Sequence, residues 1–439
     1  MGFGAWGCPI AISASSHQPH RLQLNLYPMS LPTAFRLSRS VLSTISPPIS
    51  QAHKWALSYI PTEKRPLLDM SQGVPGTPPH ESLQNAIQTA STTRSSFGYG
   101  PAEGEAHLRS ALVEEMKEIY GVDVDLKVED IAVTVGCNMA FVASVMSLAD
   151  AGDEVILPIP WYFHHQMTLS LLGIKTVPLR TRAEDGFIPS IEACKALITP
   201  KTRAIALVSP NNPTGATYPP SLVTSFASLA SSNNIALIVD ETYRDFIIPK
   251  SPPQLLFSSP TWRSTFIHLY SFSKSYRIPG HRIGCIAANP SLITQIIKIL
   301  DTLQICPPKT PQIALGQPGM LQGMREDIYD TAVRVAKRHQ LFRETLSWRW
   351  HIASQGGYYA FVRHPFRDIG STEVCKRLAE EMGVVVLPGA FFGHEAGVED
   401  DRWIRFSVAN VGDEDVIQVC ERIRESEEAF DDWVVRDCH

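Results

Sequence analysis

The sequence predicts an α/β protein with a mostly parallel seven-stranded sheet flanked by helices and a smaller α+β domain. Three observations carry this. Strand-length apolar segments near residues 132, 155, 175, 205, 236, 267 and 283 alternate with helical stretches. Some of them, such as I-A-L-I-V-D ending at Asp240, are apolar without alternation, as strands covered on both faces are. Polar residues follow several strand ends, which is where open α/β sheets bind their ligands.

Composition narrows the function class. At 439 residues the chain is long enough for two domains and a large core, and 44% apolar with 19% charged residues describes a globular protein. A formal net charge of -5 gives no electrostatic case for nucleic acid or an anionic membrane surface. No apolar run approaches the ~20 residues that span a bilayer. The eight cysteines are scattered without metal-ligand spacing, so no metal is expected and small molecules are the expected partners. The first acidic residue is Glu63, and the serines and arginines before it resemble a mitochondrial leader. Only Arg21 lies within residues 1–28, however, so a cytoplasmic enzyme is expected ahead of an imported one, with Met29 an alternative start and 31–45 an amphipathic helix.

Taken in order, the folded part opens at L-L-D-M-S-Q-G-V-P-G, where Gly73 lets backbone approach a ligand. Tyr99 then precedes a helix that begins near Glu105. The strand I-A-V-T-V turns at Gly136 into a helix, and the amides of Gly136, Cys137 and Asn138 at such a junction form an anion cradle. E-V-I-L-P-I-P-W-Y-F-H-H is a buried strand ending in an aromatic cluster. Tyr162 and Phe163 read there as core, and His164 and His165 as helix-surface or packing residues, because no third metal ligand is near.

A-I-A-L-V-S-P-N-N-P-T-G is a strand ending in a turn at Asn212. Asp240 follows its own buried strand and needs a partner, since an unpaired buried charge is costly; Tyr243 stands three residues on. The string S-F-S-K-S-Y-R-I-P-G-H-R-I-G, from Ser271 to Gly284, concentrates an amine at Lys274, hydroxyls at Ser271 and Ser273 and a guanidinium at Arg282 between two strands. Such a lysine is suited to a Schiff base with a carbonyl cofactor, and the serines and arginine to a phosphate. Helices follow from about Ser291 and again over Arg325 to Trp348. Tyr359 then precedes strand residues, and Arg405 lies in an apolar strand, W-I-R-F-S-V-A.

The Ser271–Gly284 string resembles the cofactor-lysine signature of the class I/II aminotransferases, pyridoxal-phosphate enzymes of fold type I, and the resemblance runs from about Leu67 to about Asn410. It implies that Lys274 holds pyridoxal 5'-phosphate as a Schiff base and that Asp240 keeps the pyridinium nitrogen protonated. It further implies that Asn212 and Tyr243 bind the ring oxygen and that Trp161 stacks on the ring. Ser271, Ser273, Arg282 and the Gly136–Asn138 amides would hold the phosphate. Tyr99 would reach across a homodimer interface to the partner's phosphate, making the site composite. Arg405 and Gly73 would take the substrate carboxylate, with Tyr359 lining the pocket. Residues 1–65 would be an extension and arm, 96–310 the large domain, and 66–95 with 311–439 the small one. The implied activity is ping-pong transamination between an amino acid and a 2-oxo acid. A lyase of the same fold, cleaving carbon–sulfur bonds or forming aminocyclopropane carboxylate, shares every cofactor contact. A cofactor-binding regulator is disfavoured because no helix-turn-helix or basic segment precedes the fold. The amino donor stays open.

Overall fold

The computed structural model describes residues 35–121, 123–393 and 401–435. Its main sheet has seven strands: β1 (Ile131–Val135), β2 (Glu154–Ile159), β3 (Lys175–Arg180), β4 (Thr202–Val208), β5 (Ala236–Asp240), β6 (Phe266–Ser271) and β7 (Ile283–Ala287). Their order is β1-β7-β6-β5-β4-β2-β3. All neighbours are parallel except β7, which runs antiparallel to both β1 and β6. This is the expected seven-strand sheet.

The lack of alternation in these strands has a direct cause. Ile156, Leu237 and Val239 enter the core on one face of the sheet, while Val155, Ile238 and Ile286 enter the core on the other. Successive residues point to opposite faces, so a sheet covered on both sides wants apolar residues at every position. Each such side chain contributes about 1.5–3 kcal/mol by leaving water.

A second sheet, β10-β11-β9-β8, is antiparallel and comprises β8 (His351–Gly356), β9 (Tyr359–Arg363), β10 (Leu387–Pro388) and β11 (Trp403–Ser407). It packs with the helices Arg325–Thr345 and Asp413–Ala429 around Phe342, Val362, Phe406 and Val419. A two-residue strand, Leu68–Asp69, pairs in parallel with Val384–Val385 and so ties the start of the fold to its end. The described residues from Arg39 onward form one compact unit.

Two expected boundaries move. Within 31–45, the residues described hold only a five-residue helix, Arg39–Ser43; the run Ser46-Pro47-Pro48 stops it, and Pro48 begins a second helix, Pro48–Ala56. The charged helix expected to reach Trp348 ends at Thr345. Among the described residues, no helix is long and apolar enough to cross a membrane.

Candidate active site

The carboxyl ends of β4, β5 and β6 open into a cavity of about 320 Å³ whose wall includes Asn212, Asp240, Tyr243, Ser271, Ser273, Lys274 and Arg282, together with Gly73, Cys137, Asn138, Tyr359 and Arg405. Residues separated by more than 300 positions thus share one space.

Lys274 sits on a four-residue helix, Phe272–Ser275, capped by Ser271, whose hydroxyl accepts from the Ser273 amide at 3.2 Å. Its Nζ donates to the Gly73 carbonyl at 2.5 Å. Burial draws the amine down to about 8 from an ordinary 10.5, and the Arg405 and Arg282 charges add to the effect. At that value roughly a fifth of the amine is neutral at pH 7.4, against less than about a thousandth at the ordinary value. Gly73 is glycine for a steric reason: a Cβ there would run into the Tyr359 hydroxyl.

Asp240 ends β5 and is 3% exposed. Its Oδ1 accepts from the Thr242 hydroxyl at 2.6 Å and amide at 3.0 Å, and its Oδ2 from the Cys137 thiol at 3.4 Å. His165 Nε2 also lies 3.4 Å from Oδ2. Burial opposes the charge, but the His165 ring and the Thr242 donors outweigh it and hold the carboxyl below its usual range. The His165 ring is itself stacked on Phe141 at 3.8 Å between centroids. Burial pushes the Cys137 thiol well up, so it stays protonated and remains a donor.

Asn212 and Tyr243 converge on one oxygen. Asn212 Nδ2 donates to the Tyr359 hydroxyl at 3.3 Å, and the Tyr243 hydroxyl pairs with that same hydroxyl at 2.6 Å. Asn212 Oδ1 accepts from Arg405 at 2.9 Å, and a second Arg405 nitrogen donates to the Ser71 carbonyl. Arg405 is 1% exposed, its guanidinium lies 4.5 Å from the Tyr359 ring centroid, and its Nε has no hydrogen-bond partner among the described residues. No carboxylate of those residues reaches it either. A desolvated guanidinium without an acid leaves room for a bidentate oxyanion.

Arg282 faces the same cavity from the start of β7. It adopts a left-handed backbone, φ +57°, which costs a non-glycine residue about 1–3 kcal/mol. Its guanidinium lies against Gly136, where a Cβ would collide with it and where φ is +77°. Gly136 begins the helix Gly136–Leu148, so its first amides and a cation meet at one point.

One expected residue lies elsewhere. Trp161 does not line the cavity: its amide donates to the Phe392 carbonyl at 3.0 Å, and its indole fills the space that a side chain at Gly393 would take. Tyr162 lines the wall in its place. Tyr99 stands outside the cavity of its own chain and is 81% exposed. Sequence reasoning missed Tyr162, His164, His165 and Thr242. Thr242 could have been found, since a hydroxyl two residues after an aspartate is placed to bond it. His165 is 2% exposed and stacked on Phe141, so it packs as one of the two expected readings has it and approaches Asp240 besides, while Tyr162 and His164 face the cavity. No group of three or more metal-ligating side chains occurs among the described residues.

The residues present fit pyridoxal phosphate. A lowered amine, a buried carboxylate held ionised, a helix N-terminus beside a guanidinium, and a convergent amide and phenol are the groups its carbonyl, ring nitrogen, phosphate and ring hydroxyl require.

Comparison with known proteins agrees with this chemistry. The family model described as aminotransferase class I and II matches residues 65–423. An aromatic-amino-acid aminotransferase of Thermococcus litoralis is 27% identical over 370 residues, covering 80% of this chain and 91% of its own. An aspartate aminotransferase of Pyrococcus abyssi is 27% identical over 365 residues, with the same two shares, 80% and 91%. Among solved structures, the aspartate aminotransferase of Rhizobium meliloti superposes with a TM-score of 0.81 at 22% identity, covering 91% of this chain and 100% of that one.

Proposed function

The chain belongs to the class I and II aminotransferases, and from that premise we propose that it transfers an amino group from an amino acid to a 2-oxo acid by a ping-pong reaction centred on Lys274. The single observation that carries this is the meeting of the lowered Lys274 amine, ionised Asp240 and the guanidinium groups of Arg282 and Arg405 in one cavity.

Lys274 would hold pyridoxal phosphate covalently, Asp240 would face its ring nitrogen, and Asn212 with Tyr243 its ring hydroxyl. Arg282, Ser271, Ser273 and the amides at the start of the Gly136–Leu148 helix would take the phosphate. When bound, the cofactor supplies a carbonyl for the substrate amine and a ring that withdraws electrons from the alpha carbon. Arg405 clamps the alpha-carboxylate with its planar fork and so turns the Cα–H bond toward Lys274. Lys274 Nζ would be the group that takes and holds the proton of the substrate's alpha carbon. The two substrates would use the site in turn, the first leaving as its 2-oxo acid before the second enters, which makes the kinetics ping-pong.

On the same reading, exposed Tyr99 and Phe97 face a second copy of the chain, which completes the site as a homodimer, and residues 96–310 form the domain against which 66–95 and 311–439 close. Cell fractionation would check a cytoplasmic location.

Absorbance of the cofactor-loaded enzyme tests the reading. A pool of amino acids should convert a Lys274-dependent band and release a 2-oxo acid. Release of ammonia or a thiol instead would transfer the assignment to a lyase, and a wild-type protein without a Lys274-dependent band would remove its basis.

A further inference from the structure

Each cation of the cavity already has a role. All three line the cavity, and on the proposed reading Lys274 carries the amine chemistry while Arg282 would take the phosphate and Arg405 the alpha-carboxylate. What remains of the wall without a role above is Ile49, Gln72, Val74, Tyr162, Phe163, His164 and Val208. Ile49 arrives on the helix Pro48–Ala56, while Phe163 and His164 begin the helix Phe163–Leu172. Among the described residues of the single chain no further cation lines this wall, so the chain itself offers a second substrate carboxylate no charged partner in exchange for its water.

Besides the Gln72 amide, the polar group offered there is the His164 imidazole. His164 Nδ1 lies 2.6 Å from the Tyr162 hydroxyl, and that hydroxyl donates to Asn138 Oδ1 at 3.3 Å. A phenol has one proton; given to Asn138, it leaves the oxygen to accept from His164, so the ring proton sits on Nδ1. Nε2 is then a lone-pair acceptor, and His164 makes no other hydrogen bond among the described residues. Burial draws the ring down to about 4, with the His165 ring and the Arg282 and Arg405 charges adding to it, so it is neutral near pH 7. An apolar wall ending in a neutral acceptor complements an apolar side chain ending in a donor, and a site built for such a bond discriminates against analogues that lack it.

We propose that His164 is a specificity-determining residue that selects amino donors whose apolar side chain ends in an N–H or O–H, an indole or a phenol, over dicarboxylates. The proposal rests on the transaminase reading above for the word donor, though not for the binding preference.

Two measurements test it on the cofactor-loaded enzyme. The first is kcat/KM for tyrosine, tryptophan, phenylalanine and aspartate in wild type, His164→Leu and His164→Gln. The second is calorimetric binding of 3-(4-hydroxyphenyl)propanoate, 3-phenylpropanoate and succinate, which needs no turnover. Wild type should prefer the hydroxylated member of each pair by about two- to tenfold, the value of one neutral hydrogen bond. The preference should vanish in His164→Leu and return in part in His164→Gln, whose amide oxygen restores an acceptor. Tightest binding of succinate, or a hydroxyl preference unchanged in His164→Leu, would overturn the proposal. If ligands are sorted as expected but no 2-oxo acid ever forms, the selectivity stands and the transaminase reading falls.

Discussion

The floor and the outer wall of the cavity are built in opposite ways. The floor comes from ends of the central sheet: Asp240 ends β5, Ser271 ends β6, and Asn212 follows β4 within four residues. The wall is gathered from Ile49 on a short helix, Gly73 in a turn, Tyr162 and His164 at a helix start, and Arg405 on the second sheet. A floor set in a sheet buried on both faces repeats its geometry whatever surrounds it. A wall of separate pieces keeps its geometry only through long-range bonds, such as Lys274 to Gly73 and Arg405 to Asn212. The floor suits what every turnover shares, and the wall what distinguishes one substrate from another.

Breaking each region separately would sharpen this contrast. Lys274→Ala removes the proton carrier, and single-turnover kcat should fall by roughly 10⁴-fold, whichever amino acid is offered. Arg405→Leu strikes the wall: KM for amino acids should rise about 10- to 100-fold, the worth of a hydrogen bond to a charged group, while the absorbance of bound cofactor stays as in wild type. An Arg405→Leu enzyme that loses its cofactor would show that floor and wall are not separable.

The pH dependence separates them further. Lys274 is depressed in the fold, so below about 8 its charge weakens the native state, and this cost fades as pH rises toward 10.5. Chemical denaturation of the cofactor-free protein should therefore show wild type gaining stability relative to Lys274→Met between those values, and capture of added cofactor should accelerate with a midpoint near 8. A midpoint near the ordinary value would show an amine open to water. The smallest effects distinguish neighbours: Tyr162→Leu should lower kcat/KM by about two- to tenfold, the worth of an aromatic contact, and Trp161→Phe should leave it within twofold.

The same contrast explains what could be read in advance. Asn212, Asp240 and Lys274 lie at strand ends, where hydrophobic run and turn chemistry are local signals, so fold and floor were legible from single segments. Trp161 and Tyr162 are adjacent aromatics after one strand, and choosing the inward one depends on Phe392 and Gly393, more than 200 positions away. His165 read as a helix-surface or packing residue because Asp240, the carboxylate it approaches, lies 75 residues further on. Local pattern carries no information about such pairs.

The reversed direction of β7 carries a further consequence. Because β6 leaves the sheet at the cavity and β7 re-enters it there, amine and guanidinium are held apart by a connection of only seven residues, Ser275 to His281, anchored at both ends. That connection acts as a caliper. On the proposed reading it sets the span between the amine that would bond a ligand and the guanidinium that would receive the ligand's far end. An insertion of a single residue within it would preserve every recognisable motif and still leave the gauge reading wrong.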